Sequence, residues 1–258
     1  TSGMIAHEMR LFLIALQFLT RIRIKRIEPF PEDWLPRCAK YMPLVGALVG
    51  GATGVVIAVA AAVFPAPVPI VIGLIASVLL TGALHEDGLA DTADALGGGA
   101  DRERCLQIMK DSRIGTYGVL AIVAVLALKA TSLDAIGPVA NIGVLIAAYA
   151  GGRLAAVLAM TALPYAGGDN VKVSRSPVRM RGMELVLAVA SFFAIGFVVM
   201  NAGIFAASTV AAFVPAAGMA LFAHRKIGGY TGDILGAVEQ IYEATFIAMA
   251  AAMIAGPG

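Results

Sequence analysis

Long apolar runs recur along nearly the whole chain, separated by short turns or by charged segments. Of the 258 residues, 59% are hydrophobic and only 14% are charged, whereas soluble domains carry about 25% charged residues. A backbone that crosses lipid must satisfy its own hydrogen bonds, which restricts it to helices or closed barrels. Because the runs are long enough for spanning helices, the sequence predicts an all-α, polytopic membrane helix bundle.

We predict about seven transmembrane helices from these runs. They cover residues 43–64, 69–84, 116–133, 139–163, 184–200, 204–223 and 241–255. The apolar stretch within residues 8–26 is too short to span and ends in basic residues, a pattern typical of an interfacial helix. Residues 1–3 precede Met4 and are expected to be a tag remnant, so residues 4–258 are predicted to form a single integral membrane domain.

The positive charges predict the orientation of the chain. Of 19 Lys and Arg residues, 17 lie in the N-terminal segment and in three connections, at residues 85–115, 164–183 and 224–240. Seven alternating spans place all of these segments on one side, which the positive-inside rule makes cytoplasmic. The net charge of only +2 gives no indication of a nucleic-acid partner, and the lipid bilayer is the partner that the composition predicts.

The densest polar chemistry lies in the first of these connections. Four acids, Glu86, Asp87, Asp91 and Asp94, fall within nine residues. The spacings of the three aspartates put them on one face of a helix. Like charges so close repel unless a cation lies among them, and hard oxygen ligands favour Mg²⁺, Mn²⁺ or Ca²⁺ over zinc. The alternative is a solvated acidic helix at the membrane surface, but such helices usually intersperse their charges.

A glycine run at residues 97–99 is expected to end this helix. A basic segment follows it, with Arg102, Arg104, Lys110 and Arg113. Carboxylates for a metal, followed by cations for phosphate, indicate a substrate such as a nucleoside diphosphate ester.

A second motif lies at residues 225–243. Gly228, Gly229 and Gly232 let the backbone approach a phosphate or a bulky ligand, and Asp233 is a further hard ligand. By itself this pattern is equally typical of a glycine-rich turn between two helices. Its predicted position on the same side as the acidic motif favours one shared site.

Three strings of residues resemble the cobalamin synthase family, whose members are also called adenosylcobinamide-GDP ribazoletransferases. They are HEDGLADTAD at 85–94, IMKDSRIGTYG at 108–118 and GGYTGDILGA at 228–237. The string PLVG at 43–46 extends the resemblance to the start of the first span, so that it covers nearly the whole chain.

The resemblance implies an Mg²⁺-dependent transferase, with Mn²⁺ as an alternative ion. Its members join adenosylcobinamide-GDP to α-ribazole or α-ribazole 5′-phosphate and release GMP. The product is adenosylcobalamin or its 5′-phosphate, formed late in cobalamin biosynthesis. The implied location is the inner (cytoplasmic) membrane of a bacterium, with the motif connections facing the cytoplasm.

The motifs and the resemblance together suggest a set of metal ligands. Asp87, Asp91 and Asp94 are the predicted ligands, with Glu86 and Asp233 as additional candidates. Glu86 is the least secure because a helix turns it about 100° away from Asp87.

The remaining predicted roles concern the substrate and the proton. Lys110 and Arg113 are expected to contact the pyrophosphate as catalytic cations, with Asp111 orienting them or joining the metal site. His85 is a candidate base for the attacking hydroxyl, and either an aspartate such as Asp94 as the base or a structural role for His85 fits equally well. The glycines expected to bind substrate are Gly228, Gly229 and Gly232.

Two basic residues are predicted to lie within spans. Arg153 is well inside the fourth span, where it is expected either to reach the site or to pair with an acid. Lys129 is near the outer end of the third span and is expected to snorkel to the surface. The sequence leaves the oligomeric state open, a homo-oligomer included.

Two other classes of protein share parts of the pattern. CDP-alcohol phosphotransferases also hold a metal with aspartates three and four residues apart, but their pattern requires an Asp-Gly-x-x-Ala-Arg string, and the Ala-Arg pair is missing here. Membrane prenyltransferases usually carry two acidic clusters. A cation transporter would be expected to place acids at mid-membrane depth, whereas the motif acids follow the second predicted span.

Overall fold

The computed structural model describes residues 2–24, 34–167, 180 and 182–256. Within these ranges the regular structure is helical, apart from one isolated bridge between Tyr165 and Tyr230. The helices are α1 (Ser2–Leu19), α2 (Trp34–Cys38), α3 (Met42–Ala61), α4 (Val68–Thr81), α5 (Leu84–Gly98), α6 (Arg102–Ile108), α7 (Thr116–Ile136), α8 (Ala140–Ala162), α9 (Gly182–Val199), α10 (Ala202–Ile227) and α11 (Gly232–Ala255). The predicted all-α class is confirmed.

Six helical segments of the described chain are long and apolar enough to cross a membrane, namely Trp34–Ala61 and each helix from α7 to α11. The pair α4 and α5 passes the same test only as one unit, bent by 89°, which brings the spans to the predicted seven. With 14 residues, α4 is about 21 Å long at 1.5 Å per residue, and a hydrocarbon core is about 30 Å thick. Because the bend of 89° turns α5 away from the axis of α4, we treat α4 as a short span and α5 as a helix that runs across the end of the bundle, outside the spans.

The sharp turn between α4 and α5 is made by two residues with left-handed backbone. Gly82 has a φ of 71° and Ala83 has a φ of 60°, and such a value is uncommon for a residue that carries a Cβ. Arg21 contacts Gly82, and its backbone N–H donates to the Leu80 carbonyl at 2.8 Å. The segment that follows α1 thereby holds the turn that places the acidic motif.

Glycines allow α3 and α8 to pack at close range. A Cβ at Gly46, Gly50 or Gly54 would meet the backbone of α8. These positions recur every four residues, which is the spacing of a small-residue helix interface.

At the centre of the bundle, α11 packs against α5, α7, α8 and α10. It begins at Gly232, well before the predicted start of the last span, and α10 extends to Ile227. The connection predicted at residues 224–240 therefore has only residues 228–231 outside helices. The difference arises because polar residues such as Glu239, which hydropathy assigns to a connection, are buried within α11.

The N-terminal helix differs from its predicted range of residues 8–26. It begins at Ser2 and ends at Leu19, where the Thr20 hydroxyl donates to the Leu16 carbonyl at 2.6 Å. Residues 25–33, and with them the basic end of the predicted helix, lie outside the described residues, as does Thr1 of the predicted tag remnant. The interfacial location of α1 stays a prediction.

Candidate active site

The two sequence motifs meet where α5 crosses the first turns of α11. A Cβ added to Gly88 would lie 2.8 Å from the Asp233 carbonyl oxygen, and one added to Gly236 would lie 3.1 Å from the His85 carbonyl oxygen. The helices therefore touch backbone to backbone at these glycines. As a result, the carboxylates of α5 and Asp233 lie at the same end of the bundle.

The aspartates at this crossing crowd one another. Asp87 is exposed and Asp91 is half-buried. Burial raises the pKa of Asp91 to about 6, and the charges of Asp87, Asp233 and Asp94 add to the effect. Among the described residues, no salt bridge joins Asp87, Asp91 or Asp233 to a cation. This excess of negative charge favours a bound cation.

Asp94 is placed differently from its two neighbours on α5. Its buried carboxylate accepts hydrogen bonds from the Gly115 N–H at 2.6 Å and the Gly118 N–H at 2.8 Å, so it caps the start of α7. A Cβ at either glycine would lie 2.5 Å from a carboxylate oxygen of Asp94. Both oxygens thus have protein partners, which gives Asp94 a structural role whether or not it also contacts a metal.

Glu86 turns away from the crossing, as its helical offset from Asp87 predicts. Its Oε1 lies 3.4 Å from Gln240 Nε2, which donates to it.

Within the described part of the chain, no three His, Cys, Asp or Glu side chains are arranged so that they could together hold a metal ion. A Mg²⁺ site needs less than that, because this ion usually binds one or two carboxylates and completes its shell with water and substrate phosphates. Asp87, Asp91 and Asp233 offer carboxylates for such a site, of which one or two would bind the ion directly.

A second cluster of charges lies deeper, between α7, α8 and α11. Lys129 is only 1% exposed, and its Nζ donates to Glu243 Oε2 at 2.6 Å and to Gln240 Oε1 at 2.7 Å. The expectation that Lys129 snorkels to the surface is therefore wrong. The cause is its pairing with Glu243, a residue of another span, and hydropathy along one span gives no sign of such a pair.

Arg153 belongs to the same cluster and connects it to the candidate site. Its guanidinium pairs with Glu243, and its Nε lies 3.5 Å from Glu239 Oε2. Its Nη2 also lies 3.4 Å from His85 Nδ1, and the guanidinium stacks over the Tyr149 ring with a 5.0 Å separation from the centroid. Both alternatives predicted for Arg153 thus hold, since it pairs with acids and also reaches the site. Glu239 and Glu243 are four residues apart in an apolar stretch, and that spacing was the available signal of a charged helix face.

His85, the candidate base, has protein groups at both ring nitrogens. Nδ1 faces Arg153, which can only donate, so Nδ1 is the acceptor. Nε2 is 3.0 Å from Glu239 Oε2, at ion-pair distance but without the alignment of a good hydrogen bond. Neither nitrogen is therefore free to take a proton from a substrate unless its neighbour moves.

The basic residues after α5 have two kinds of partner, an exposed side chain or the backbone of another helix. Arg113 and Asp111 form an exposed ion pair at 2.6 Å, and hydrogen bonds from the side chain and backbone of Arg113 lower the pKa of Asp111 to about 2. Lys110 is exposed beside them. Arg102 instead donates to the Ile227 carbonyl at 2.8 Å, so it joins α6 to the end of α10.

The three glycines of the second motif have three different surroundings. Gly228 has a φ of 86° and ends α10, so it needs left-handed backbone. Gly229 contacts the Pro164 carbonyl, to which the Tyr230 N–H donates at 2.9 Å. Gly232 has no atom within 4 Å of an added Cβ. The start of the connection at 164–183 is thereby fixed to this motif, and most of the remainder lies outside the described residues.

Comparisons with known proteins agree with these motifs. The chain matches the family model described as cobalamin-5-phosphate synthase over residues 11–251. A protein of Leptothrix cholodnii named adenosylcobinamide-GDP ribazoletransferase is 41% identical over 246 residues, which cover 92% of this chain and 93% of that protein. A protein of Shewanella amazonensis with the same name is 40% identical over 240 residues, which cover 92% of each chain. No solved structure gives a significant match.

Proposed function

The chain belongs to the cobalamin-5-phosphate synthase family, and we propose that it joins adenosylcobinamide-GDP to α-ribazole or α-ribazole 5′-phosphate and releases GMP. The observation that carries the proposal is the crossing of α5 and α11, where three carboxylates converge without a described cation among them. A divalent ion bound there would supply the missing positive charge and could in turn bind the pyrophosphate of the substrate.

The proposed reaction exchanges a phosphoanhydride bond for a phosphate ester bond. A ribose hydroxyl of α-ribazole attacks the phosphorus that carries the corrinoid, and a new P–O bond forms as the P–O bond to GMP breaks. GMP leaves with the electron pair of the broken bond, and the hydroxyl proton passes to a base. In such transfers catalysis is mostly positioning and neutralisation of charge.

The residues that would bind the metal, the phosphates and the acceptor lie at different places in the site. One or two of the carboxylates of Asp87, Asp91 and Asp233 would hold Mg²⁺, or Mn²⁺ in its place, and the bound ion would supply charge neutralisation to the pyrophosphate. Lys110 and Arg113 would bind the phosphates from the exposed side. Because both nitrogens of His85 face protein groups, we assign the proton to one of the carboxylates at the crossing and give His85 the task of orienting the acceptor.

We further propose that this end of the bundle faces the cytoplasm, with the chain in the inner membrane of a bacterium. The ends of α3, α7 and α9 on the opposite side lead into the connections 62–67, 137–139 and 200–201, which carry no Lys or Arg. Among the described residues, the Lys and Arg residues outside spans lie at the site end, as the positive-inside rule predicts for a cytoplasmic side.

A reconstituted assay tests the proposal. Purified, detergent-solubilised protein is mixed with adenosylcobinamide-GDP, α-ribazole 5′-phosphate and Mg²⁺, and GMP and corrinoid products are followed by chromatography and mass spectrometry. We expect equal amounts of GMP and adenosylcobalamin 5′-phosphate, with both lost on chelation and in Asp91→Asn. A folded protein that forms neither product would refute the proposed activity, and full activity in Asp91→Asn would remove that residue from the metal site.

A further inference from the structure

A cavity of about 260 Å³ lies beside the crossing of α5 and α11. Its walls come from the end of α1, from α2, the start of α3, the second half of α8 and the short segment around the Tyr165–Tyr230 bridge. Lys110 and Arg113, the cations assigned to the phosphates, do not line it, whereas Asp87 and Asp233, assigned to the metal, lie at its edge. The remainder of the cavity is therefore open to a part of the substrates other than the phosphates.

The cavity has one polar end and one apolar end. His85, Asp87, Asp233 and Glu239 line the polar end, next to the carboxylates proposed to hold the metal. His85 Nε2 and Glu239 Oε2 face each other there at 3.0 Å, without the alignment of a good hydrogen bond. Imidazole and carboxylate groups both form hydrogen bonds with hydroxyls, so this end of the cavity suits a ligand that brings hydroxyl groups. The apolar walls are formed by Phe18, Leu19, Leu35, Met42, Ala156, Val157 and Met160.

The size of the cavity and the chemistry of its walls exclude most parts of the two substrates as its occupant. Pockets for drug-sized ligands have volumes of roughly 300–1,000 Å³, so a cavity of about 260 Å³ accepts a fragment such as a nucleoside base and not a corrin macrocycle. Guanine would bury a polar edge of several donors and acceptors against apolar walls, and each unpaired group would cost about 1–3 kcal/mol. A flat aromatic base without such an edge leaves no donor or acceptor unpaired there, and Met42 and Met160 offer sulfur contacts to its ring.

We propose that this cavity binds the acceptor nucleoside, with its apolar aromatic base between α1 and α8 and its ribose hydroxyls towards His85 and Glu239. The inference rests on the proposed function and adds the acceptor site to it. In this arrangement the walls of α8 select the base, and the attacking hydroxyl lies next to Asp87 and Asp233. The enzyme should therefore favour ribosides of apolar bicyclic bases over adenosine and guanosine.

The test adds a bulky side chain to the cavity from α8 and compares its effect with that of a substitution on another face of α8. Val157→Phe places a ring into the cavity, whereas Leu158→Phe places the same ring next to a separate cavity formed with α10. Ala156→Val is the milder variant if Val157→Phe does not fold. The readouts are the KM values of donor and acceptor and the direct binding of α-ribazole by calorimetry to the detergent-solubilised protein.

We expect Val157→Phe to raise the acceptor KM and the α-ribazole Kd at least about tenfold, a loss of ~1.4 kcal/mol, with the donor KM unchanged. Ala156→Val should act in the same direction, and Leu158→Phe should behave like the wild type. A raised donor KM with an unchanged acceptor KM would place the donor here and overturn the inference, as would unchanged α-ribazole binding in both cavity variants. If the wild type binds α-ribazole through this cavity but turns over no donor, the acceptor site stands and the proposed reaction fails.

Discussion

The structure assigns different tasks to two aspartates that lie on one face of α5, and a matched pair of substitutions separates them. Asp94→Asn and Asp91→Asn make the same chemical change three residues apart. Asp94 caps α7 with two hydrogen bonds from backbone N–H groups. Asp91 lies among other carboxylates, and its charge is disfavoured by burial and by Asp87, Asp233 and Asp94.

The expected loss for Asp94→Asn follows from its two bonds. The amide keeps one acceptor oxygen and turns an NH₂ group towards the other N–H, which leaves that buried donor unpaired at a cost of about 1–3 kcal/mol. The remaining bond changes from charged to neutral and weakens by about 1 kcal/mol. Together the free energy of unfolding should fall by about 3 kcal/mol.

Asp91→Asn should leave the stability of the metal-free protein unchanged or raise it. The pKa of Asp91 is raised in the folded protein, to about 6, so its negative charge opposes folding at neutral pH and this effect fades as the pH falls through 6. The amide removes the charge altogether. Turnover should nevertheless be lost, because an amide is a weaker ligand for Mg²⁺ than a carboxylate.

Unfolding by SDS in mixed micelles, followed by far-ultraviolet circular dichroism at neutral pH without added metal, measures the stability of both variants. GMP release with saturating Mg²⁺ measures turnover on the same preparations. The reasoning would be refuted if Asp91→Asn lost as much stability as Asp94→Asn, or if Asp94→Asn were as stable as the wild type.

Three further results are expected. Gly88→Ala should lower both stability and turnover, because its Cβ would lie 2.8 Å from the backbone of α11, whereas Gly232→Ala, with no atom within 4 Å, should unfold like the wild type in the SDS titration. Lys129→Met should lower the free energy of unfolding by about 3 kcal/mol, as expected when a buried pair loses one partner, and adding Glu243→Gln should recover part of the loss in a double-mutant cycle. Arg113→Ala should raise the KM of the GDP-bearing donor while the acceptor KM stays constant, and an unchanged donor KM would remove this exposed residue from the phosphate site.

The spans could be predicted from the sequence because lipid imposes a strong and local rule on each run of residues. The same rule misplaced the start of α11, since Glu239 and Gln240 are polar along the chain but paired in space. It also misplaced Lys129, whose partner Glu243 is more than a hundred residues away. Pairing between spans leaves no trace in the hydropathy of either span, so these errors share one cause.

The candidate site was likewise predictable from the sequence only in part. Spacing on a helix was enough to place Asp87 and Asp91 on one face of α5, and the position of the glycines in both motifs agreed with a close approach. The sequence could not separate Asp94 from them, because its partners are backbone N–H groups that only the turn before α7 brings near. The residues of α1 and α8 that wall the cavity were also beyond prediction, since they are ordinary apolar residues of their helices.

The deep cluster and the carboxylates at the crossing differ in their balance of charge, and this difference decides where an added cation binds. Glu239 and Glu243 face Arg153 and Lys129, so the two buried acids already have two buried cations. Leaving any of the four unpaired would cost several kcal/mol, which keeps the cluster closed and α11 fixed against α7 and α8. Asp87, Asp91 and Asp233 have no such partner in a salt bridge among the described residues, and they lie where α5 meets the start of α11, beside the cavity, so a divalent ion is attracted there.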